Sequence, residues 1–228
     1  PEDLSGNTNL SSFIILIAPA WDYVEMGPTI GTDFADIRKL MDQMDLENHL
    51  LQIDPIGSVE KNAEIVAKEI VNFSSSSKKA IILVSGSSSS PSVAHALGEI
   101  LNTEQLDCVK GWFNAVGILQ GASFIDFFMR RPIRWGFHAF LKFKKWDIAN
   151  VESMSTRIRR DRFQKVQIPE NIFILNYLSI PLSGNISQFA RLSYKIIRKQ
   201  GPNDGSALIV DTIAPNGISI VSFGTDHF

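Results

Sequence analysis

Short, fully apolar runs alternate along this chain with segments whose apolar residues recur every three or four positions. The runs FIILIA, AIILVS and ISIVSF begin at residues 13, 80 and 218. Their length and composition are typical of strands that are buried on both faces. Segments between them, such as VEKNAEIVAKEIVNF, have the spacing of amphipathic helices. This alternation predicts an α/β fold with a mostly parallel central sheet flanked by helices.

The pattern can be followed along the whole chain. It predicts strands over residues 13–18, 50–53, 80–85, 109–116, 171–178 and 218–223, and helices over residues 34–44, 59–73, 91–101 and 186–198. Ser58 and Asn185 are the residues expected to cap the N-termini of the second and fourth helices. The stretch that contains Gly27, Pro28 and Gly31 is expected to be a loop.

Composition favours one ordinary globular domain over residues 1–228. Hydrophobic residues make up 44% of the chain and charged residues 20%, which excludes a disordered chain or a coiled coil. The net charge of −2 argues against nucleic acid as a partner. The chain has no run of 18 uncharged apolar residues, so no membrane-spanning helix is expected. The cellular compartment is left open.

Residues 81–97, IILVSGSSSSPSVAHAL, join an apolar strand to a helix through a turn of very small residues. This context is typical of a nucleophile elbow, in which a strained turn presents a serine and brings the strand and helix close together. The usual pattern is G-x-S-x-G, and here it is SGSSS, with serine at both outer positions. Ser87 is the preferred nucleophile. A shift of one residue would select Ser88, and a polar turn without a nucleophile is the alternative.

A second group of polar residues lies near the C-terminus. Asp204, in the turn sequence N-D-G, precedes His227 by 23 residues. Serine is a weak nucleophile, so catalysis needs a histidine to take its proton and an acid to stabilise the imidazolium. Asp211 is the alternative acid. Asp226 adjoins His227, so its side chain would point away from the imidazole in an extended segment.

In three segments the chain resembles bacterial lipases and lipase-like α/β-hydrolases. Residues 81–97 look like the strand, elbow and helix of that family, residues 109–128 look like its G-W strand and following loop, and residues 203–227 look like its N-D-G…D-H ending. The resemblance implies an α/β-hydrolase fold. It also implies a catalytic triad of nucleophile, acid and base: Ser87, Asp204 and His227.

The same resemblance implies an oxyanion hole formed by two backbone N–H groups. One belongs to Ser88, and the other to Ala20 or Trp21 in the loop after the first strand. Such a hole meets the negative charge that develops on the carbonyl oxygen. The chain has neither metal-ligand spacing nor a phosphate-binding glycine loop, so no metal and no other cofactor is expected.

A basic, aromatic segment follows the fourth predicted strand. Residues 130–165 hold 11 of the 22 Lys and Arg residues of the chain, but only three acidic residues. At this position α/β-hydrolases commonly carry a cap or lid, so residues 124–168 are interpreted as such an insertion. Its bases would contact lipid headgroups at a membrane surface. The aromatic residues expected to bind the substrate are Phe124, Phe127, Phe128 and Trp135. The alternative is a cap with a solvated basic face.

These features predict hydrolysis of a carboxylic ester, in particular a lipid, through an acyl-Ser87 intermediate. The alternative hypothesis is a binding or scaffold protein that has kept the fold and lost the activity, which the serine-rich turn favours. Acyl transfer or thioester hydrolysis by the same residues is a third hypothesis, because a fold does not distinguish these reactions.

Overall fold

The computed structural model describes residues 10–182 and 184–228 of the chain. Its strands are β1 (Phe13–Ala18), β2 (Asn48–Leu50), β3 (Ala80–Gly86), β4 (Val109–Ala115), β5 (Phe173–Ile180) and β6 (Ile218–Phe223). They form one six-stranded sheet in the order β2-β1-β3-β4-β5-β6, and every neighbouring pair is parallel. The predicted α/β class with a parallel sheet is confirmed.

Helices connect the strands. In the described part of the chain they are α1 (Tyr23–Ile30), α2 (Ala35–Gln43), α3 (Val59–Ser76), α4 (Ser90–His95), α5 (Thr103–Leu106), α6 (Ser123–Phe128), α7 (Ile133–Phe143), α8 (Ile148–Glu152), α9 (Thr156–Phe163) and α10 (Arg191–Ile197). A π-helical turn, Ala96–Ile100, extends α4 to the end of the predicted helix. None of these helices is both long and apolar enough to cross a membrane.

The main core lies between the sheet and helices α3 and α4. Leu16, Leu83 and Trp112 project from three adjacent strands and are almost completely buried. They belong to one cluster with Val66 and Ile70, which lie one turn apart on α3. Residues spaced four apart on one face of the helix therefore pack against alternate residues on one face of the strands.

Helices α6 to α9 occupy the position of the predicted cap, between β4 and β5. Three of them, α6, α7 and α8, contribute Ile125, Leu141 and Val151 to a second buried apolar cluster. Val59 at the start of α3 belongs to the same cluster, so these helices pack on the body of the protein. That residues 124–168 act as a lid remains a prediction.

The prediction of a loop after β1 is wrong, because helix α1 occupies most of that stretch. Gly31, expected to interrupt regular structure, instead ends the helix. It adopts φ +70° and donates its N–H to the carbonyl of Gly27 at 2.8 Å. A left-handed residue of this kind is a common helix C-terminus, and glycine adopts it without a steric cost.

Two further elements differ from their predicted bounds. Strand β2 covers Asn48–Leu50 and not residues 50–53. The N–H of Leu51 still donates to the carbonyl of Ile17 on β1 at 2.8 Å, but the carbonyl of Ile53 accepts the Tyr23 hydroxyl at 3.1 Å, so the chain has left the sheet by that residue. The last helix begins at Arg191 and not near residue 186. Asn185 does not cap it, since its amide lies 3.4 Å from the carbonyl of Gly224 instead.

Candidate active site

Ser87 stands at the sharp turn between β3 and α4. Its φ of +50° lies in the left-handed region, which is uncommon for a residue with a Cβ atom. A 3₁₀ turn, Ser87–Ser89, follows at once and leads into the helix. The predicted strand, tight turn and helix are therefore present, with Ser87 at the strained position.

Serine fits the first outer position of the elbow because its hydroxyl is bonded. Ser85 is completely buried, and its Oγ accepts the indole N–H of Trp112 at 2.8 Å. The hydroxyl of Ser90 lies 3.0 Å from the same oxygen. The extra atoms that replace a glycine hydrogen are thus part of a polar network beneath the turn.

Serine at the second outer position bridges two segments. The Oγ of Ser89 accepts the backbone N–H of Gly86 at 3.1 Å and lies 2.8 Å from the carbonyl oxygen of Ala18. The second carbonyl within reach, that of Gly86, lies 2.9 Å away. The hydroxyl therefore links the elbow to the end of β1.

The three predicted catalytic residues form one chain of hydrogen bonds. Nε2 of His227 lies 2.7 Å from Oγ of Ser87, and Nδ1 lies 2.7 Å from Oδ2 of Asp204. The other carboxylate oxygen of Asp204 accepts the N–H groups of Ser206 and Ala207, both at 2.8 Å. In the tautomer whose Nδ1 donates to Asp204, Nε2 accepts a hydrogen bond from the hydroxyl of Ser87.

Neither alternative acid contacts this histidine. Asp211 is buried and accepts two bonds from Arg160, at 2.9 and 3.3 Å. Asp226 accepts the backbone N–H groups of Ser187 and Phe228, at 2.6 and 2.9 Å, and so holds the chain on both sides of the imidazole. Both carboxylates have structural partners.

Solved structures resemble this one throughout the sheet. A metagenomic carboxyl esterase aligns with a TM-score of 0.73 and 16% identity, over 94% of this chain and 64% of its own length. The mature form of a Bacillus licheniformis lipase aligns at 0.72 and 14% identity, over 94% and 84%. The chain has the α/β-hydrolase fold. Lipase 1 from Pelosinus fermentans aligns with this fold at 0.60 and 13% identity, over 94% and 91%.

Comparison by sequence adds nothing to this assignment of the α/β-hydrolase fold. No family model matches the chain, and no curated protein matches it either. The chain spans slightly less than two thirds of the metagenomic carboxyl esterase.

A cavity of about 330 Å³ opens beside Ser87 and His227. Its wall is almost entirely apolar, and most of its aromatic side chains come from the segment between β4 and β5. These are Phe124, Phe128, Phe137, Phe140 and Trp146, with Trp21 from the loop after β1. An apolar cavity of this size suits the hydrocarbon part of a ligand, and it ends at Ser87.

Two of the four predicted substrate-binding residues lie outside this lining. Phe127 packs edge-on against Phe128, with ring centroids 5.5 Å apart, and Trp135 is 73% exposed. Helix periodicity accounts for the position of Trp135, because Phe137 and Phe140 share the inner face of α7 whereas Trp135 projects from another side. The sequence does not distinguish the lining residues, since Phe124 and Phe127 are also three residues apart and only Phe124 lines the cavity.

The residues predicted to form the oxyanion hole differ in whether their backbone N–H groups are already hydrogen-bonded. The N–H of Ala20 donates to the carbonyl of Thr32 at 2.8 Å, so Ala20 is not a free donor and that prediction is wrong. The N–H of Trp21 makes no hydrogen bond to any other residue in the described part of the chain. Both Trp21 and Ser88 line the large cavity beside Ser87.

A buried carboxyl group follows directly after Trp21. Burial raises the pKa of Asp22, and Glu25 raises it further, while Lys144 opposes this shift. The backbone N–H of Asp22 donates to the carbonyl of Pro55 at 2.6 Å, which holds the loop in place. The described residues contain no group of three or more metal-ligating side chains.

Proposed function

We propose that this protein is a serine hydrolase that cleaves carboxylic esters. The observation that carries the proposal is the continuous hydrogen-bonded chain from Asp204 through His227 to Ser87, with both imidazole contacts at 2.7 Å. The carboxylate of Asp204 at one end of this chain is fully buried, and Ser87 at the other end stands on a strained elbow. Such an arrangement activates a hydroxyl for attack on an acyl group.

The reaction follows from these positions. The Oγ of Ser87 attacks the ester carbonyl carbon while its proton passes to Nε2 of His227. The tetrahedral intermediate then breaks its bond to the leaving oxygen, which takes that proton and departs as an alcohol. Water repeats the same steps on the acyl-enzyme and releases the carboxylic acid. Asp204 stabilises the imidazolium in both halves.

The oxyanion is stabilised by the backbone N–H groups of Ser88 and Trp21. Ser88 follows the nucleophile, and Trp21 lies on the loop after β1, so the two donors belong to different elements. Losing one such donor typically lowers kcat about 100-fold or more. The free N–H of Trp21 supports this choice over Ala20.

The acyl part of the substrate occupies the large cavity. Phe124 and Phe128 form part of its wall, and Trp21 packs edge-on against Trp146 at a centroid distance of 5.6 Å. Burying a methylene group there contributes about 0.8 kcal/mol. This wall supports an apolar acyl chain, as in a lipid ester.

The outer side of the same segment suits contact with a lipid surface. On α7, Trp135 and Phe143 are 73% and 84% exposed. The exposed bases around them are Arg130, Arg131, Lys142, Lys144 and Lys145. Exposed aromatic side chains among bases favour binding to an anionic interface, where rings enter the headgroup region and bases meet phosphates.

The serine-rich elbow no longer favours an inactive scaffold. Ser85 and Ser89 are buried, and their hydroxyls are hydrogen-bonded within the turn. Ser87 keeps the left-handed conformation that such an elbow requires. These hydrogen bonds accommodate the side chains that would otherwise crowd the turn.

A fluorophosphonate probe tests the proposal, because it reacts with activated serines. We expect the folded protein to be labelled, Ser87→Ala to lose the label, and Ser87→Ala to lose hydrolysis of a short soluble ester. Loss of the label in Ser88→Ala and its retention in Ser87→Ala would move the nucleophile by one residue. A folded protein that is never labelled would refute the proposal.

A further inference from the structure

We propose that a second, smaller cavity binds the leaving alcohol and restricts this hydrolase to esters of short, uncharged alcohols. The proposal rests on the ester hydrolysis proposed above. The cavity has a volume of about 110 Å³ and borders Ser87 and His227, as the acyl cavity does. Its remaining wall includes the ends of β3 and β4, at Gly86 and Ala115, and the ring of Phe34.

The reaction geometry assigns the two cavities. In the tetrahedral intermediate, the carbon carries Oγ of Ser87, the oxyanion, the acyl chain and the leaving oxygen. Trp21 and Ser88, the proposed oxyanion donors, line the large cavity and not the small one. An apolar acyl chain fills the large aromatic cavity, so the leaving oxygen is directed to the small one. There it lies beside His227, which must protonate it.

The size of the small cavity limits the alcohol. Its volume is about one third of the volume of the acyl cavity. The small cavity therefore has room for about four water-sized groups, since a water molecule occupies ~30 Å³ in the liquid. Phe34 closes it on one side. The ring packs so tightly on the elbow that a Cβ at Gly86 would lie 2.8 Å from Cζ of Phe34. Phe34 is therefore the residue that determines which alcohols fit.

The charges near this cavity select against anionic alcohols. Its lining has no ionisable side chain besides His227. It adjoins an outer groove of about 610 Å³, to which Asp33 and Asp36 contribute carboxylates and no residue contributes a Lys or Arg side chain. Asp33 is paired with Arg38 at 3.6 Å, whereas Asp36 is exposed. A phosphate on the alcohol would meet negative charge without a bonding cation.

Two ester series separate the cavities. In the first, octanoate esters carry ethanol, butanol or octanol; in the second, ethyl esters carry acids of increasing length. We expect kcat/KM to fall at least ten-fold from the butyl to the octyl ester, because the longer alcohol has to pass the ring of Phe34 and one poorly fitting methylene can cost ten-fold. Phe34→Ala should remove most of that fall and leave the acid series unchanged.

Phe124→Ala is the matched control in the acyl cavity. It should alter the acid series and leave the ratio between the butyl and octyl esters of the alcohol series unchanged, although the rates of all octanoate esters change together. Because Phe34 also packs near Ile15 and Val84, Phe34→Leu provides a milder enlargement if the alanine variant does not fold. If either Phe34 variant changes the acid series, or if a folded one changes neither series, the assignment is wrong.

A third comparison tests the charge. An octanoyl ester of glycerol should react at least ten-fold faster than the same ester of glycerol phosphate at low salt, and Asp36→Lys should narrow this ratio. Equal rates for the two esters would overturn the preference for uncharged alcohols. Failure of the proposed function is distinct from all these results, because no ester would then be hydrolysed and Ser87 would not be labelled.

Discussion

At the residue scale, the hydroxyl of Ser89 makes hydrogen bonds that a glycine at this position could not make. Its hydroxyl joins Gly86, on the elbow, to Ala18, at the end of β1. The two proposed oxyanion donors lie just beyond these points, at Ser88 and Trp21. The hydroxyl therefore sets the distance between two loops whose separation decides how well the donors meet the oxyanion.

We predict that Ser89→Ala lowers kcat about ten-fold with little change in KM, a loss of about 1.4 kcal/mol from the transition state. Ser92→Ala is the matched control, because the equally buried hydroxyl of Ser92 donates to the carbonyl of Val59 at 3.0 Å. Both variants should lose about 1 kcal/mol of stability. Steady-state kinetics and urea unfolding check this; equal losses of kcat would indicate general destabilisation.

At the element scale, an ion pair between a buried arginine and a partly exposed glutamate connects helix α9 to helix α3. Arg159 bonds to Glu60, and their side chains are 3% and 34% exposed. Burial lowers the pKa of the Arg159 guanidinium, and Glu60 opposes this. The buried charge is therefore the guanidinium of Arg159, and its ion pair with Glu60 offsets the cost of burying that charge.

This asymmetry predicts unequal effects of removing each partner. Glu60→Gln should lower the free energy of unfolding by about 3 kcal/mol, because it leaves a buried guanidinium without its counter-charge. Arg159→Met should cost less, since the remaining carboxylate can be hydrated and the methionine fills the space. Urea unfolding of both variants measures the order, and a larger loss for Arg159→Met would contradict it.

At the scale of the whole molecule, charge is separated between the body and the segment over residues 130–165. That segment holds half of all basic residues, while the chain as a whole has a net charge of −2. The exposed aromatic residues of α7 lie within the same segment. If the protein binds an anionic surface as proposed, this separation would turn the basic side toward that surface.

We predict that reversing four charges, at Arg130, Arg131, Lys144 and Lys145, weakens binding to anionic vesicles at least ten-fold and keeps hydrolysis of a short soluble ester within two-fold. Each base near such a surface contributes about 1 kcal/mol. The control reverses four exposed bases elsewhere: Arg191, Lys195, Arg198 and Lys199. Vesicle co-sedimentation distinguishes the two variants, and equal weakening by both would make the effect one of net charge.

Local sequence determined much of this protein. The bounds of β1 and β6 follow from uninterrupted apolar runs, and Ser58 caps α3 by accepting the N–H of Lys61 at 3.2 Å. The residues of the candidate triad could also be named, because an elbow needs a turn of very small residues and Ser87, Asp204 and His227 follow the chain order of α/β-hydrolases. These features depend on neighbours in the chain, which the sequence displays directly.

Only the tertiary structure decided what depends on distant partners. Ala20 is excluded as an oxyanion donor because its N–H donates to the carbonyl of Thr32. The carbonyl of Ile53, predicted to lie in a strand, accepts the hydroxyl of Tyr23. The two cavities likewise exist only where separate elements approach Ser87. Each backbone polar group bonds to whichever partner the fold brings near, and local pattern does not record which partner that is.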